Sequence, residues 1–516
     1  MRALRTALAL VMLAAAAACV TAPVHHPAQI RLVDPAALPT EAQVMAWHRL
    51  KDQNPAAFSG SPAWHNYMAF VERELRSSGV TDITRNAFSY DRWHSSEWPN
   101  DSGWKLISNG RPVRVASSGA YSGNTGPGGR TAPLVYYDPA DPPASIAGKI
   151  VVFQPRAEGM PDPDYEYRSP QQILPSSTAP ASAKELRDTG RAAIFPQLFQ
   201  IRDFVAAKLV PGKAAGAIYV LDANYERLKG TYTFPVPPLH DVPSLFVDRE
   251  SGAALIADAR RGAPATLTLD ADVTPTQTHQ LVGFLPGRDY GKPHDEMIQL
   301  VTHSDGPSIS QDNGPLGILG IVKYFASIPQ ARRPRTLMIF IDNRHYLPGS
   351  EPAFAARDWF TLHRAARDPV VAMIGVEHLG QMEFVERGEA LVPSGRADQT
   401  WLWASDNRNM VDLATRAVRD NRLFATVRNV ERPGRAGRSQ APWYGMASPP
   451  RRFGKPGFGM MGSMDAYWTS AARIDRFDPR LFRRQVATLV QLTGELMLID
   501  PARIKPDSSV PPVSAR

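Results

Sequence analysis

From about residue 280 onward, nearly continuous apolar runs alternate with helical patterns. The strand-like runs are EMIQLVTHSD, RTLMIFID and PVVAMIGVEHLG, the helical segments between them are GPLGILGIVKYFASI and GSEPAFAARDWFTLH, and the last helical segment is DPRLFRRQVATLVQLTGELMLID. Strands that are apolar on both sides belong in a mostly parallel sheet whose two faces are covered by helices. The pattern therefore predicts an α/β fold with a mostly parallel sheet flanked by helices.

The rest of the chain divides by composition into segments of different character. A length of 516 residues is enough for two or three domains. The predicted division is a signal peptide at 1–19, a tether at 20–35, an N-terminal helical part of the main domain at 36–103, an inserted β-rich domain at 104–275, the α/β domain at 276–500 and a disordered tail at 501–516. The inserted segment is identified by its short β-type runs and its many Pro and Gly residues.

The N-terminus has the composition of an export signal. The stretch MRALRTALALVMLAAAAACV places two arginines before an apolar run that ends in small residues, and that run is too short for a typical membrane span. Cys19, the only cysteine, predicts a lipoprotein-type cleavage site and a lipid anchor, with an ordinary cleaved signal as the alternative. Both interpretations predict export, to the periplasm or to an outer-membrane anchor.

The charge of the chain indicates which kinds of partner it is expected to bind. The formal net charge is +8, without a dense basic run outside the C-terminal third, and mild basicity of this kind favours an anionic substrate or an acidic membrane face. No aromatic or glycine-rich nucleic-acid module is recognisable, so nucleic acid is not an expected partner.

Polar residues collect where the predicted strands end. They are His303, Asp305, Asp312, Arg344, His345, Glu377 and His378. Because the carboxyl ends of parallel strands meet at one edge of a sheet, these side chains are expected to converge on one crevice. Histidine together with carboxylates suits zinc or another divalent metal.

The order of these motifs resembles that of the secreted zinc aminopeptidase and glutamate carboxypeptidase family, which has a two-metal site on an α/β sheet. The family's H-x-D matches His303 and Asp305, its D-N-x-x-G matches Asp312 and Asn313, and IGVEHLG places Glu377 at a ligand aspartate. The segment GSPAWHNYMAFVERELRSSGV resembles the family's Gly-Ser-Pro helix, and GKIVVF and VPSLFVDRESG resemble its inserted protease-associated (PA) domain. The resemblance implies a zinc-exopeptidase-like fold over nearly the whole mature chain.

The chain departs from the family pattern at two places. Where the family has two adjacent glutamates, a general base and a metal ligand, this chain has Arg344 and His345, and arginine cannot accept a proton. Where the family has its last metal histidine, this chain has Trp468, and His378 is the last histidine of the sequence. A C-terminal histidine ligand is therefore excluded, and we expect one metal, best matched by zinc, rather than two.

The residues receive the following predicted roles. His303, Asp312 and Glu377 are the expected metal ligands, Asp305 orients His303, His345 is an acid/base group or a further ligand, Arg344 clamps a substrate carboxylate, and His378, Gln440 and Trp468 contact substrate. A structural role is the alternative for each histidine. It is favoured for His378, whose side chain would point away from Glu377 if the strand continued. Asp312 has the alternative of capping the next helix.

Together these features predict an exported, metal-dependent hydrolase of an amide, peptide or related bond. Six arginines between residues 427 and 457, near the expected rim of the crevice, add to the expectation of a small anionic or peptide-like substrate. Two other functions remain open. One is a non-catalytic binding protein on the same fold, because fold alone does not secure activity, and the other is a single-metal lyase.

Overall fold

A computed structural model describes most of the predicted α/β domain and much of the predicted insertion. The described residues are 33–53, 57–95, 103–155, 194–232, 239–306, 309–310, 312–344, 347, 359–398, 400–405, 407–423, 425–429, 445–446, 453–462, 469 and 473–505. Cys19 with the predicted signal peptide, the tail beyond residue 505, and the predicted site residues His345, Gln440 and Trp468 lie outside them.

The described residues include helices within the predicted segments 314–328 and 478–500 and several helices outside the predicted segments. In chain order the helices are α1 (Glu41–Asp52), α2 (Pro62–Ser77), α3 (Ile194–Phe204), α4 (Tyr225–Leu228), α5 (Arg249–Arg260), α6 (Gly314–Ala326), α7 (Arg364–Arg367), α8 (Arg408–Asp420) and α9 (Pro479–Leu498). Helix α1 begins at a capping box, in which Thr40 and Gln43 satisfy each other's backbone N–H groups. Helix α2 begins at Ser61, whose side chain accepts from the backbone N–H of Trp64.

The strands form two large sheets and one hairpin. They are β1 (Thr81–His94), β2 (Trp104–Ser108), β3 (Arg111–Val113), β4 (Ser117–Ser118), β5 (Arg130–Tyr137), β6 (Ile150–Phe153), β7 (Gly216–Val220), β8 (Ser244–Val247), β9 (Pro264–Leu269), β10 (Asp272–Leu285), β11 (Met297–His303), β12 (Thr336–Asp342), β13 (Val370–Glu377), β14 (Met382–Arg387), β15 (Ala390–Ala397), β16 (Thr400–Ala404), β17 (Ala425–Asn429) and β18 (Gly457–Gly462). Strands β14 and β15 form the hairpin.

Within the described residues, the main sheet has the strand order β1-β10-β12-β11-β13-β18-β16-β17. Its centre, β12-β11-β13-β18, is parallel, whereas β1 and β10 on one side are antiparallel and β16 runs antiparallel to β18 on the other. The predicted α/β fold, with a parallel centre covered by helices, is confirmed. The antiparallel flanks are an addition that the alternating pattern did not indicate.

Both faces of the main sheet are buried, which explains why its central strands lack polar alternation. One face contributes Leu300, Ile339 and Ile374 to a core shared with α1, α2, α6, α8 and α9. The other face contributes Val301 and Phe340 to a second, smaller cluster. Successive side chains of a strand point to opposite faces, so the apolar residues of β11 and β12 are divided between the two cores.

The second sheet is inserted between two neighbouring strands of the first. Strands β1 and β10 pair along most of their length, from Thr81 opposite Phe284 to His94 opposite Asp272, and the chain between them forms a sheet ordered β3-β2-β9-β5-β6-β7-β8-β4. The β-rich segment predicted at 104–275 falls on this part of the chain, and its bounds as a domain stay a prediction. Among the described residues, no helix is both long enough and apolar enough to cross a membrane.

A buried histidine and asparagine join α1 to the start of α6 and the end of β13. Asn313 Nδ2 donates to the carbonyl of Leu379 at 2.7 Å, and its Oδ1 accepts from the Leu379 N–H at 2.9 Å. The same Nδ2 lies 3.1 Å from His48 Nε2, while His48 Nδ1 lies 2.7 Å from the carbonyl of Val44. The ring stacks on Phe477 with centroids 3.7 Å apart. Burial lowers the pKa of His48 to about 3, so the ring is neutral.

We expect His48 to make the fold sensitive to acid. Because its pKa is lower in the folded chain than in the unfolded chain, the unfolded state binds the proton first as the pH falls below about 6.5, and the free energy of unfolding then falls by up to about 1.4 kcal/mol per pH unit. Urea unfolding of His48→Gln between about pH 5.5 and about pH 4 should show a slope shallower by roughly that amount. The exposed His294→Gln should keep the wild-type slope, and equal slopes in all three proteins would contradict this assignment.

Candidate metal centre

A cluster of ionisable side chains lies at the carboxyl end of the parallel strands. Strand β11 ends at His303 and β13 ends at Glu377, and the connection from β11 to α6 supplies Asp305 and Asp312. His378 follows Glu377 directly. All five side chains are buried, none more than 3% exposed. The expected convergence at one edge of the sheet is therefore what the structure shows.

His303 is the centre of this cluster. Its Nδ1 lies 3.2 Å from Asp305 Oδ1 and 2.8 Å from Asp312 Oδ1, and its Nε2 lies 3.3 Å from Glu377 Oε2. The structure thus brings the three predicted ligands together and places Asp305 against the same ring, as expected for a residue that orients it. The predicted set is, however, divided between the two sides of the imidazole.

The side chain of His378 does not point where a continuing strand would send it. His378 has φ of 53°, in the left-handed region, so the strand conformation ends and its ring turns toward the cluster. Its Nε2 lies 3.9 Å from Glu377 Oε2, and its ring meets that of His303 edge to face with centroids 5.9 Å apart. The opposite orientation was expected for a continuing strand, and the strand ends at Glu377. Burial lowers the pKa of His378 to about 4, which keeps the ring in the neutral form that binds metals.

The carboxylates carry oxygen atoms that the described part of the chain does not satisfy. Apart from their contacts with His303, both oxygens of Asp312 and Oε2 of Glu377 are buried without a hydrogen-bond donor among the described residues, while Glu377 Oε1 accepts from the N–H of Met446 at 2.5 Å. A Cβ added at Gly306 would overlap Asp312 Oδ2, and one added at Gly445 would overlap Glu377 Oε1. Buried carboxylate oxygens are costly without a cation or a donor, so this arrangement fits a bound cation.

Lys51 is a member of the site that the motif search missed. It is 1% exposed, its Nζ donates to the carbonyl of Gly306 at 2.9 Å, and it lies 4.8 Å from the centre of the Tyr67 ring. Burial lowers the pKa of Lys51 to about 8, opposed by the charges of Asp312 and Asp305. A signal existed in the sequence, because the i, i+3, i+4, i+7 spacing of α1 places Lys51 on its buried face.

Among the described residues, the charges of the cluster do not balance without a further cation. When His303 is neutral, three carboxylates there face Lys51, and the remaining excess of two negative charges equals the charge of one divalent ion. Burial alone would lower the pKa of His303, but the neighbouring Asp312, Asp305 and Glu377 outweigh burial and hold it well above its usual value. Without a metal, a proton on His303 supplies part of the missing charge.

The donor atoms suit a divalent metal. Two groups of donors, His303 with Glu377 and His378, and His303 with Asp305 and Asp312, each have ligand atoms within 4.8 Å of one another. Imidazole nitrogens and carboxylate oxygens are the set that zinc prefers. His378 is therefore a donor candidate in its own right.

Arg344 follows β12 and has different surroundings. It is half-buried, and its guanidinium carbon lies 5.4 Å from the centre of the Phe88 ring. Burial raises the pKa of Asp342, and the positive charge of Arg344 opposes that rise. Its clamping role stays a prediction, as do the roles of His345, Gln440 and Trp468, which lie outside the described residues.

Comparison with known proteins supports the fold and goes no further. No family model matches the chain, and no curated protein matches it. Among solved structures, it is similar to a peptidase M28 precursor from Shewanella amazonensis SB2B (TM-score 0.58, 12% identity, 90% of this chain and 97% of that one). It is also similar to the zinc aminopeptidase BSAP from Bacillus subtilis (0.56, 13%, 91% and 99%) and to an aminopeptidase from Aneurinibacillus sp. strain AM-1 (0.52, 14%, 90% and 94%). The predicted zinc-exopeptidase-like fold is confirmed.

Gly306 provides a test of the cluster as a metal site. In Gly306→Ala the new methyl group must displace the carboxylate of Asp312, so we expect zinc affinity to fall about 10- to 100-fold, the usual effect of disturbing a ligand's support. Competition with a chromophoric chelator measures this. The control is Gly128→Ala, where a Cβ meets open space. Equal zinc affinity in Gly306→Ala and Gly128→Ala would rule out Asp312 as a ligand.

Proposed function

We propose that the chain is a metal-dependent hydrolase of an amide bond in a small anionic or peptide-like substrate, with one divalent metal, preferably zinc. The observation that carries the proposal is a fully buried cluster of nitrogen and oxygen donors whose three carboxylates outnumber the cations among the described residues. A binding protein that had lost its metal would be under no pressure to keep such an arrangement, because uncompensated buried charge is destabilising.

In this proposal His303, Asp312 and Glu377 hold the metal, with His378 as a further donor. Because Asp312 and Glu377 contact opposite sides of the His303 ring, one of these carboxylates has to turn toward the other when the metal binds. Asp305, 3.2 Å from His303 Nδ1, fixes the orientation of the ring, a task that carboxylates commonly perform for metal-bound histidines. Lys51 holds the backbone carbonyl of Gly306 and supplies the remaining positive charge. A metal bound here would polarise a substrate carbonyl and lower the pKa of a bound water.

Two residues are proposed to act on the substrate from the end of β12. His345 would transfer the proton, since an imidazole titrates near neutral pH, and Arg344 would pair with a carboxylate of the substrate in bidentate fashion. The position of these residues immediately after β12, beside the strand that carries His303, supports the assignment.

We further infer that the protein is exported and anchored through a lipid on Cys19. This inference is supported by the first twenty residues alone. The likeness of the inserted sheet to a protease-associated domain is likewise a proposal that is supported by the segments GKIVVF and VPSLFVDRESG.

The test of the proposal is metal content measured together with activity. Wild-type protein incubated with zinc and dialysed should retain about one zinc per chain by mass spectrometry, whereas His303→Ala should retain almost none, because its loss removes the donor that both groups share. Hydrolysis of a library of acidic dipeptides and acylated amino acids should follow the zinc content. The exposed His294→Ala is the matched control.

Each other outcome points to a different function. One bound zinc without hydrolysis of any substrate in the library would favour the non-catalytic binding protein. Full hydrolysis by His303→Ala in the presence of a chelator would eliminate metal catalysis at this cluster.

A further inference from the structure

Strands β1 and β10 form a long antiparallel pair, called here the β1–β10 ribbon. A pocket of about 270 Å³ lies beside Asp305, between this ribbon and the inserted sheet. Its wall from the ribbon includes Tyr90, Arg92 and Trp93, and its wall from the insertion includes Tyr121 and Tyr232. Asp305 closes one side, so the pocket reaches the candidate metal centre. The pocket is therefore complete only when the insertion is in place.

The aromatic side chains present apolar surface to this pocket. The hydroxyl of Tyr90 donates to the carbonyl of Ser59 at 2.6 Å, and Trp93 Nε1 donates to the carbonyl of Ser122 at 2.8 Å. Burial raises the pKa values of Tyr90 and Tyr121 above their usual range, so both phenols stay neutral. With these polar atoms engaged, the rings of Tyr90 and Trp93 offer mainly their faces and edges, which suit a flat apolar group.

Arg92 is the one cation in the pocket wall, as far as the structure describes it, and it is poorly compensated. Its Nε is buried and makes no hydrogen bond to a described residue, and no described carboxylate forms an ion pair with it. Asp305, the acid in the same wall, is already beside His303. Burial lowers the pKa of Arg92, but a guanidinium remains protonated at any working pH. A half-buried guanidinium without a described acidic partner can pair with an anion that enters the pocket.

The backbone of the opposite wall is held in an unfavourable conformation. Tyr121 has φ of 62°, which costs energy in a residue with a side chain and persists only when the surroundings enforce it. The segment around it lies tightly against the strand-β8 region, since a Cβ at Gly119 would crowd Ser244 and one at Gly123 would overlap the carbonyl of Asp241. The tight approach keeps the Tyr121 ring in the pocket wall.

We propose that this pocket binds an organic anion with a flat, apolar body, whose carboxylate pairs with Arg92 and whose body packs between the tyrosines. The bidentate geometry of guanidinium matches a carboxylate, and the aromatic walls match an aryl group. The further statement that this anion is also the substrate of the enzyme rests on the proposed function. The binding itself does not require a metal, because Arg92 and the aromatic walls provide it.

The experiment compares two probes that differ only in charge. Calorimetric titration of the full chain in EDTA, so that no metal contributes, uses 3-phenylpropanoate and its neutral counterpart 3-phenylpropanamide. The carboxylate should bind at least about 10-fold more tightly than the amide. Arg92→Met, similar in length but uncharged, should abolish this preference, and Arg92→Lys should keep part of it. Arg73→Met, an exposed arginine on α2, should bind both probes as wild type does.

Two results would overturn the inference. One is equal affinity of wild type for the acid and the amide, which needs no variant and so stands even if Arg92→Met does not fold. The other is an unchanged preference for the acid in a folded Arg92→Met protein. Arg92-dependent binding in a chain that takes up no zinc would refute the proposed hydrolase and leave the pocket assignment intact, so the two failures are distinguishable.

Discussion

Burial of several like charges around His303 is the constraint on which the site and much of its support depend. Three carboxylates inside a protein are tolerated only if cations and donors surround them closely. The chain supplies Lys51 from α1 and the imidazole of His303 itself. Helix α2 adds a hydroxyl from Tyr67, which donates to the backbone carbonyl of Asp312 at 3.1 Å. The N-terminal helices that cover the sheet are therefore also the second layer of the candidate metal centre.

The β1–β10 ribbon links this centre to the inserted sheet. It pairs with β12 through β10, and its far end carries Arg92 into the pocket whose opposite wall belongs to the insertion. A ligand that filled the pocket would contact both sheets and would end beside Asp305. This geometry explains how an insertion that shares no strand with the main sheet can determine what reaches the metal centre.

The sequence was sufficient for the parts that depend on local pattern. Both-sided burial of β11 and β12 followed from their nearly continuous apolar runs, and the meeting of His303, Asp312 and Glu377 followed from the geometry of parallel strand ends. The orientation of His378 could not be predicted because His378 itself has a left-handed backbone conformation that ends β13. Nothing in the preceding apolar run VAMIGVE indicates that change of direction. Arg92 was missed because its surroundings come from residues far away in the sequence, so that only the folded chain reveals a cation with no acidic partner among the described residues.

The central claim is that one divalent metal binds at His303 with carboxylates from both β13 and the β11–α6 connection. Anomalous diffraction at the zinc edge, from crystals of the zinc-loaded protein, tests it most directly. The account predicts a single strong peak within coordination distance of His303, with Glu377 or Asp312 among its ligands. A structure with His303 still hydrogen-bonded to its carboxylates and no peak beside it, at saturating zinc, would contradict the account.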